Sequence, residues 1–318
     1  MRVVMMSTGA FAAPTLRALL DSPHDVALLV TRPPVLGRGK RRPPPNPSAE
    51  VAAARGLRVW SPSSINDPAA AEELGRLRAD LLVVCDYGEI LKPHVLGRAR
   101  LGGINLHASL LPKYRGAAPI NWAIFHGETE TGDTVFQLTP GMDSGPILAQ
   151  RSTPIDPEET AVELKARLAL LGAELVLLTV DELAAGRAVA RPQDSALSTR
   201  APRLTKQDGA IDWTRSAAAI KNQVRAMQPW PTAYTFWRQG EQEPLRLILE
   251  RVREAEEALE PAQPGAVVEA GPRLVVACGA GFLEIEQVQP AGKRSMPAAD
   301  MLRGHALQIG DVLGGEGT

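Results

Sequence analysis

Three short runs in the first third of the chain are apolar at almost every position: RVVMM at 2–6, DVALLV at 25–30 and DLLVVC at 80–85. A strand with one wet face alternates apolar and polar side chains. A run that does not alternate needs cover on both faces, which is the condition of a parallel sheet wrapped by helices. Helix-patterned stretches separate the runs as that arrangement requires. The spacing predicts helices over 11–20, 49–55 and 69–78, with Asn46 capping the second and Pro47 as its first residue. Further strands are expected at 57–60, 103–107 and 134–139, with a short helix over 118–126. The expected fold class is α/β, a doubly wound Rossmann-like parallel sheet, and such sheets bind ligands outside the carboxyl ends of their strands.

The pattern changes later. After the acidic stretch DPEE, which suits a helix N-terminus, a long amphipathic helix is expected over 160–185. A polar stretch without periodicity follows. Beyond it come one helix, at 216–227, and short strands at 233–237, 245–251, 265–269, 274–277 and 282–288 with turns between them. That is the signature of a small antiparallel β domain, an OB-like barrel. We therefore divide the 318 residues into a catalytic domain over 1–186, a linker over 187–208 and a smaller β domain over 209–318, in keeping with ordinary domain sizes.

Several function classes are disfavoured. No G-x-G-x-x-G follows the first strand and no G-x-x-x-x-G-K-[ST] occurs, which argues against a dinucleotide and against NTP-driven chemistry. The two cysteines, Cys85 and Cys278, lie far apart and read as small buried thiols. No Cys or His spacing suggests a metal site, so no metal is expected. The formal charge of -1 gives no whole-chain sign of nucleic acid. Apolar runs are too short for a membrane span or a signal peptide, and a cytoplasmic monomer is the default.

The strand at 103–107 ends unusually. Alternate residues of a strand share a face, so Asn105 and His107 point together while Ile104 and Leu106 point away. The loop SLLPKYRGAAPI follows, rich in turn and polar residues. One helix and one strand later, GMDSGPIL (141–148) sets Asp143 between Gly141 and Gly145, and glycines permit close backbone approach. Asn105, His107 and Asp143 together suit acyl transfer to an amine. Asn105 can donate to a developing oxyanion. His107 can move protons, or donate when protonated. Asp143 can orient His107 and stabilise its charge. No Ser or Cys nucleophile is needed if the acceptor attacks directly. A second feature is RPPVLGRGKRRPPPNP (32–47), with Arg32, Arg38, Lys40, Arg41 and Arg42 and no acid. Its place after the second strand puts a basic loop on the ligand side of the sheet, which suits a phosphate-rich substrate.

NLHASLLPKYRGAAPI resembles the signature loop of the 10-formyltetrahydrofolate-dependent formyltransferases. LLVVCDYGEIL before it and GMDSGPIL after it stand in that family's order. IDWTRSAAAIKNQVRAMQPWPTAY and QPAGKRSMPAADML resemble a C-terminal domain found in it. The resemblance implies catalytic roles for Asn105, His107 and Asp143. It also implies a folate site that includes Ser109, Leu110, Leu111 and Pro112, with the pterin near Tyr87 and Gly88. The implied formyl donor is 10-formyltetrahydrofolate, and the implied acceptor is the amine of methionine on initiator tRNA, with the basic loop set against the tRNA acceptor stem. The family's opening turn is Gly-Thr-Pro followed by Phe-Ala; here Ser7 replaces the glycine and Gly9 the proline. Three other readings remain: a sugar-nucleotide amine as acceptor, water as acceptor, or an RNA-binding protein of the same fold without catalysis. Residues 200–318 hold 14 Lys plus Arg against 15 Asp plus Glu, so a basic face there rests on Lys206, Arg215, Lys221, Arg225, Lys293 and Arg294 lying together.

Overall fold

The computed structural model describes residues 1–34, 46–238, 243–255 and 260–314. They fall into two compact units. The first comprises Met1–Pro119, Glu130–Pro154 and Lys165–Pro202; the second comprises Ile120–Thr129, Ile155–Leu164 and Arg203–Thr318.

In chain order the first strands and helices are β1 (Arg2–Met6), α1 (Ala13–Leu20), β2 (Asp25–Val30), α2 (Pro47–Ala54), β3 (Val59–Trp60), α3 (Pro68–Arg76), β4 (Leu81–Val84), α4 (Pro93–Leu96) and β5 (Gly103–His107). Then come β6 (Arg115–Gly116), α5 (Pro119–Phe125), β7 (Glu130–Gln137), β8 (Ile147–Pro154), α6 (Ala161–Ala184) and β9 (Arg200–Ala201). Four of these helices begin on a proline, whose missing N–H costs nothing there and whose φ is already helical. Asn46 caps α2 as expected, its Oδ1 accepting from the Ala49 amide at 3.1 Å.

Seven strands form the sheet, in the order β3-β2-β1-β4-β5-β7-β8. From β3 to β5 all neighbours are parallel. Val3 to Met6 and Leu81 to Val83 are fully buried, as uninterrupted apolar runs require. The expectation of a wholly parallel sheet is corrected at one side: β7 runs antiparallel to β5 and β8 antiparallel to β7. β8 escaped sequence analysis because it is a polar, half-exposed edge strand, ILAQRSTP, with neither a continuous apolar run nor alternation. On one face Leu106 packs on α6 at Gly172, where an added side chain would come within 2.7 Å of Leu106. Asp133 of β7 points to that same face. It is fully buried, and neither carboxylate oxygen has a partner among the described residues.

The departure at the first turn has a physical counterpart. A side chain at Gly9 would overlap the Asp86 carboxylate, 1.7 Å from its Oδ2. The Gly9 and Thr8 amides both donate to the Asp86 carbonyl. Glycine at 9 and aspartate at 86 therefore fit each other.

The second unit contains α7 (Ala217–Ala226), β10 (Ala233–Trp237), β11 (Leu245–Glu254), β12 (Val267–Ala270), β13 (Leu274–Ala277), β14 (Phe282–Pro290), β15 (Met296–Pro297), α8 (Ala298–Gly304) and β16 (Leu313–Gly314). Its strands form one curled antiparallel sheet, β12-β13-β14-β11-β10-β16, with β15 beside β14. A bridge between Ala266 and Val312 joins the two ends of that order into a barrel-like ring. Trp213, Ile220, Leu247, Leu283 and Met301 fill its centre. The Trp213 indole N–H donates to the Thr235 hydroxyl at 3.0 Å, so the one polar atom of that buried ring is satisfied.

The stretch expected as a linker, 187–208, is more structured than its composition suggests. Through Pro202 it groups with the first unit. β9 pairs with β6, and Arg191 bridges Ile147.

Candidate active site

β5 is paired in parallel with β4 and antiparallel with β7, so its backbone is fixed on both sides and the sheet holds Asn105 and His107 rigidly. Asn105 is partly exposed and its side-chain amide has no hydrogen bond among the described residues. His107 is 6% exposed. Its Nε2 lies 2.9 Å from the Tyr114 carbonyl oxygen. A carbonyl only accepts, so Nε2 carries the hydrogen, and Nδ1 is the ring atom left for chemistry.

Nδ1 faces Asp143, 3.9 Å from Oδ2. That exceeds hydrogen-bond length, yet a charge on the imidazole would be felt strongly at this distance in a site where both side chains are largely buried. The route by which Asp143 arrives is informative. β7 ends at Gln137, level with Ile104 at the start of β5, and the Leu138 amide donates to Gly103 O. The loop 138–146 then climbs back across the sheet face to the level of His107, about 10 Å at the rise of a strand. Asp143 takes a left-handed φ of 48°, which aspartate tolerates better than most residues. Its Oδ2 accepts the Gly116 amide at 2.9 Å.

The loop after β5 is braced from beneath by one hydroxyl. Thr134 Oγ1, on β7, donates to Ser109 O at 2.6 Å and accepts from the Leu111 amide at 3.1 Å and from Gln150 Nε2 at 3.0 Å. Tyr114 has φ 61°, and both of its backbone groups are used: its amide donates to Thr199 Oγ1 at 2.8 Å while its carbonyl accepts from His107. Thr134, Gln150, Gln193 and Thr199 went unnoticed in the sequence. All four are ordinary polar residues outside any motif, and two lie in the stretch expected as linker.

The other expected residues are placed unevenly. Asn105, His107 and Asp143 converge. Ser109 is fully buried, with its hydroxyl on Lys113 O, and Leu111 packs with Phe136 and Ile147, so these two shape the loop from inside. Leu110 and Pro112 are partly exposed. The Tyr87 side chain is 2% exposed and belongs to the core with Ile65, Leu91 and Val95, which leaves its backbone alone for a ligand. Burial pushes its hydroxyl up to about 12. Gly88 is exposed, at φ 81° with open space where a side chain would stand. Arg38, Lys40, Arg41 and Arg42 lie outside the described residues.

In the second unit the six basic residues are only partly available. Arg225 is 8% exposed and donates to Asp156 O and Glu159 O. Lys221 pairs with Glu158, and Arg215 lies 4.6 Å over the Phe125 ring.

A rigid strand presents an amide and an imidazole, opposed by a carboxylate on a folded-back loop, an arrangement whose chemistry suits acyl transfer, and the family is found by comparison. Residues 1–180 match the formyl transferase family and residues 203–306 match the formyl transferase C-terminal domain. The chain belongs to the formyl transferase family. Among its relatives are proteins named methionyl-tRNA formyltransferase. That of Rhodopirellula baltica is 45% identical over 326 residues, covering 98% of this chain and 96% of the relative. That of Solibacter usitatus is 45% identical over 315 residues, covering 99% of each chain. Among solved structures, an N-formyltransferase from Helicobacter canadensis in complex with folinic acid and dTDP-3-aminofucose superposes with TM-score 0.66 at 16% identity, over 90% of this chain and 99% of that one. Glycinamide ribonucleotide transformylase 1 from Symbiobacterium toebii is 25% identical, with TM-score 0.51 over 61% of this chain and 94% of its own.

Proposed function

We propose that this chain transfers the formyl group of 10-formyltetrahydrofolate to the α-amine of methionine carried by initiator tRNA. The observation that carries the proposal is the 45% identity to methionyl-tRNA formyltransferases over both units, C-terminal unit included. The sugar-directed structure resembles this chain at 16% identity, which speaks for a shared fold only.

Asn105 is a donor without a partner among the described residues. Its amide N–H meets the formyl oxygen as negative charge gathers there under attack by the methionyl amine. His107, held by Tyr114 through Nε2, offers Nδ1 to the same centre. Protonated, it donates to the oxyanion, with Asp143 balancing its charge from 3.9 Å. As the new C–N bond forms, the amine gives up a proton, which Asp143 or neutral His107 takes. As the bond from the formyl carbon to the folate nitrogen breaks, that nitrogen is reprotonated from the same pair. The balance is one amide bond made, one broken and one proton relayed.

The residues present fit a folate. Gly88 leaves room for a flat ring beside the end of β4, and the exposed parts of Leu110 and Pro112 supply apolar contact. Tyr87, Ser109 and Leu111 contribute backbone and loop shape, since their side chains are buried. Arg38, Lys40, Arg41 and Arg42 supply phosphate-seeking charge for the tRNA.

The test is transfer of labelled formyl from 10-formyltetrahydrofolate to methionyl-tRNA by wild type, His107→Ala and an Arg41→Ala/Arg42→Ala double variant. Transfer should vanish in the first variant and fall mainly through KM in the second. A wild type that binds folate but formylates no tRNA overturns the assignment of the acceptor.

A further inference from the structure

The segment between the expected domains holds one residue out of keeping with its surroundings. From Val189 to Leu197 every residue is exposed except Gln193, which is half-buried and turned inward. It makes every hydrogen bond a glutamine amide can make. Its Nε2 donates to the carbonyls of Asp143 and Gly145, both at 2.8 Å. Its Oε1 accepts from Nε and Nη2 of Arg115, at 3.1 and 2.6 Å. The opposite orientation of the amide would set oxygen against two carbonyls and NH₂ against a guanidinium, so the contacts fix which end is which.

These partners belong to the two loops that build the site. Arg115 sits between Tyr114, whose carbonyl holds His107, and Gly116, whose amide holds Asp143. Asp143 and Gly145 belong to the loop folded back over the sheet. The Gly116 amide on Asp143 Oδ2 joins the loops directly. Gln193 adds another connection, from the Arg115 side chain to the main chain of Asp143 and Gly145, and ties Asp143 down without touching its carboxylate.

We propose that Gln193 is a positioning residue for formyl transfer: it sets the height of the Asp143 loop against the His107 loop and so fixes the 3.9 Å separation of their side chains. The proposal rests on the catalytic roles given above to Asn105, His107 and Asp143. Gln193 touches no substrate. Its loss lets Asp143 drift without removing a binding group, and displacements of about 1 Å at a reacting centre cost on the order of 100-fold in rate.

Three variants separate positioning from bulk stability. In Gln193→Ala, kcat should fall roughly 30- to 100-fold while KM for folate and for tRNA stays within about threefold. Gln193→Glu keeps the shape and the Arg115 contact but turns a carboxylate oxygen toward two carbonyls, so it should be at least as slow as Gln193→Ala. Arg115→Lys keeps one donor toward Oε1 and should lie between these and wild type. Alongside kinetics, amide exchange at Gly116 and over 141–146 should quicken in Gln193→Ala while exchange in β1, β4 and β5 is unchanged. Wild-type kcat in Gln193→Glu overturns the proposal, as does a rate loss accompanied by faster exchange throughout the unit. The exchange measurement needs no acceptor. Should wild type prove inactive on methionyl-tRNA, quickened exchange confined to Gly116 and 141–146 still supports the positioning role, and unchanged exchange there ends it.

Discussion

The backbone amide of Gly116 lies 2.9 Å from Oδ2 of Asp143, so a main-chain donor, which cannot rotate away, holds the carboxylate beside His107. The geometry depends on glycine twice. Its φ of 131° is one L side chains rarely adopt, and a Cβ there would stand 2.3 Å from the Ala201 carbonyl oxygen across the β6–β9 pair.

Gly116→Ala should therefore cost about 1–3 kcal/mol of stability and lower activity by more than that loss explains. Urea unfolding read beside kcat at a temperature where the variant is folded checks this. Full activity in a stable variant would show that the turn relaxes without moving Asp143.

Asn105→Ala should remove about 3 kcal/mol of transition-state stabilisation, the scale of one oxyanion donor, with substrate affinity little changed. Asp143→Asn keeps an acceptor for Gly116 and loses the charge, so its defect should lie in kcat. Combined with His107→Ala it should add little further loss, because the two act as a unit. Single-turnover rates for the singles and the double decide whether the losses add.

Asp133 makes stability depend on pH from the far face of the same sheet. Burial, opposed weakly by Arg167, raises its carboxyl to about 8. Between the unfolded value near 4 and about 8 the folded chain keeps a proton that the unfolded chain has lost. Stability thus falls as pH rises, by up to about 1.4 kcal/mol per pH unit. Asp133→Asn should melt higher than wild type at pH 8.5, and the gap should narrow toward pH 5. A gap that stays constant across that range would mean the carboxyl titrates elsewhere.

Arg225 belongs to the structure of its unit. Replacing it by leucine strands the carbonyls of Asp156 and Glu159 and should cost about 2–3 kcal/mol. The salt dependence of tRNA binding should keep its slope, because no phosphate contact is lost. A slope lowered by about one would place Arg225 on the nucleic acid instead.

Where chemistry and periodicity coincide, the grouping of the candidate residues was readable from the sequence. The period of two put Asn105 and His107 on one face, and the glycines around 143 marked a close approach, which Gly145 makes: its Cβ would lie 1.7 Å from Gln137 O. The buried strands announced themselves through runs that never alternate. β8 did not, because an edge strand needs few apolar residues. Tyr87 looked available and is core, since an aromatic beside a ligand-side glycine reads the same either way. The bracing by Thr134, Gln150, Gln193 and Thr199 was out of reach. Hydrogen bonds between residues up to 85 positions apart leave no local pattern.

The bridge between Ala266 and Val312 has a consequence for how the chain survives before it meets any substrate. An open sheet would end in β12 and β16, each offering unpaired N–H and C=O groups to the next molecule. Joined, those groups answer one another: the Val267 amide meets Asp311 O and the Leu313 amide meets Gly265 O. Without residues 310–314 the β12 edge would lose these partners and stand open as a template for edge-to-edge pairing.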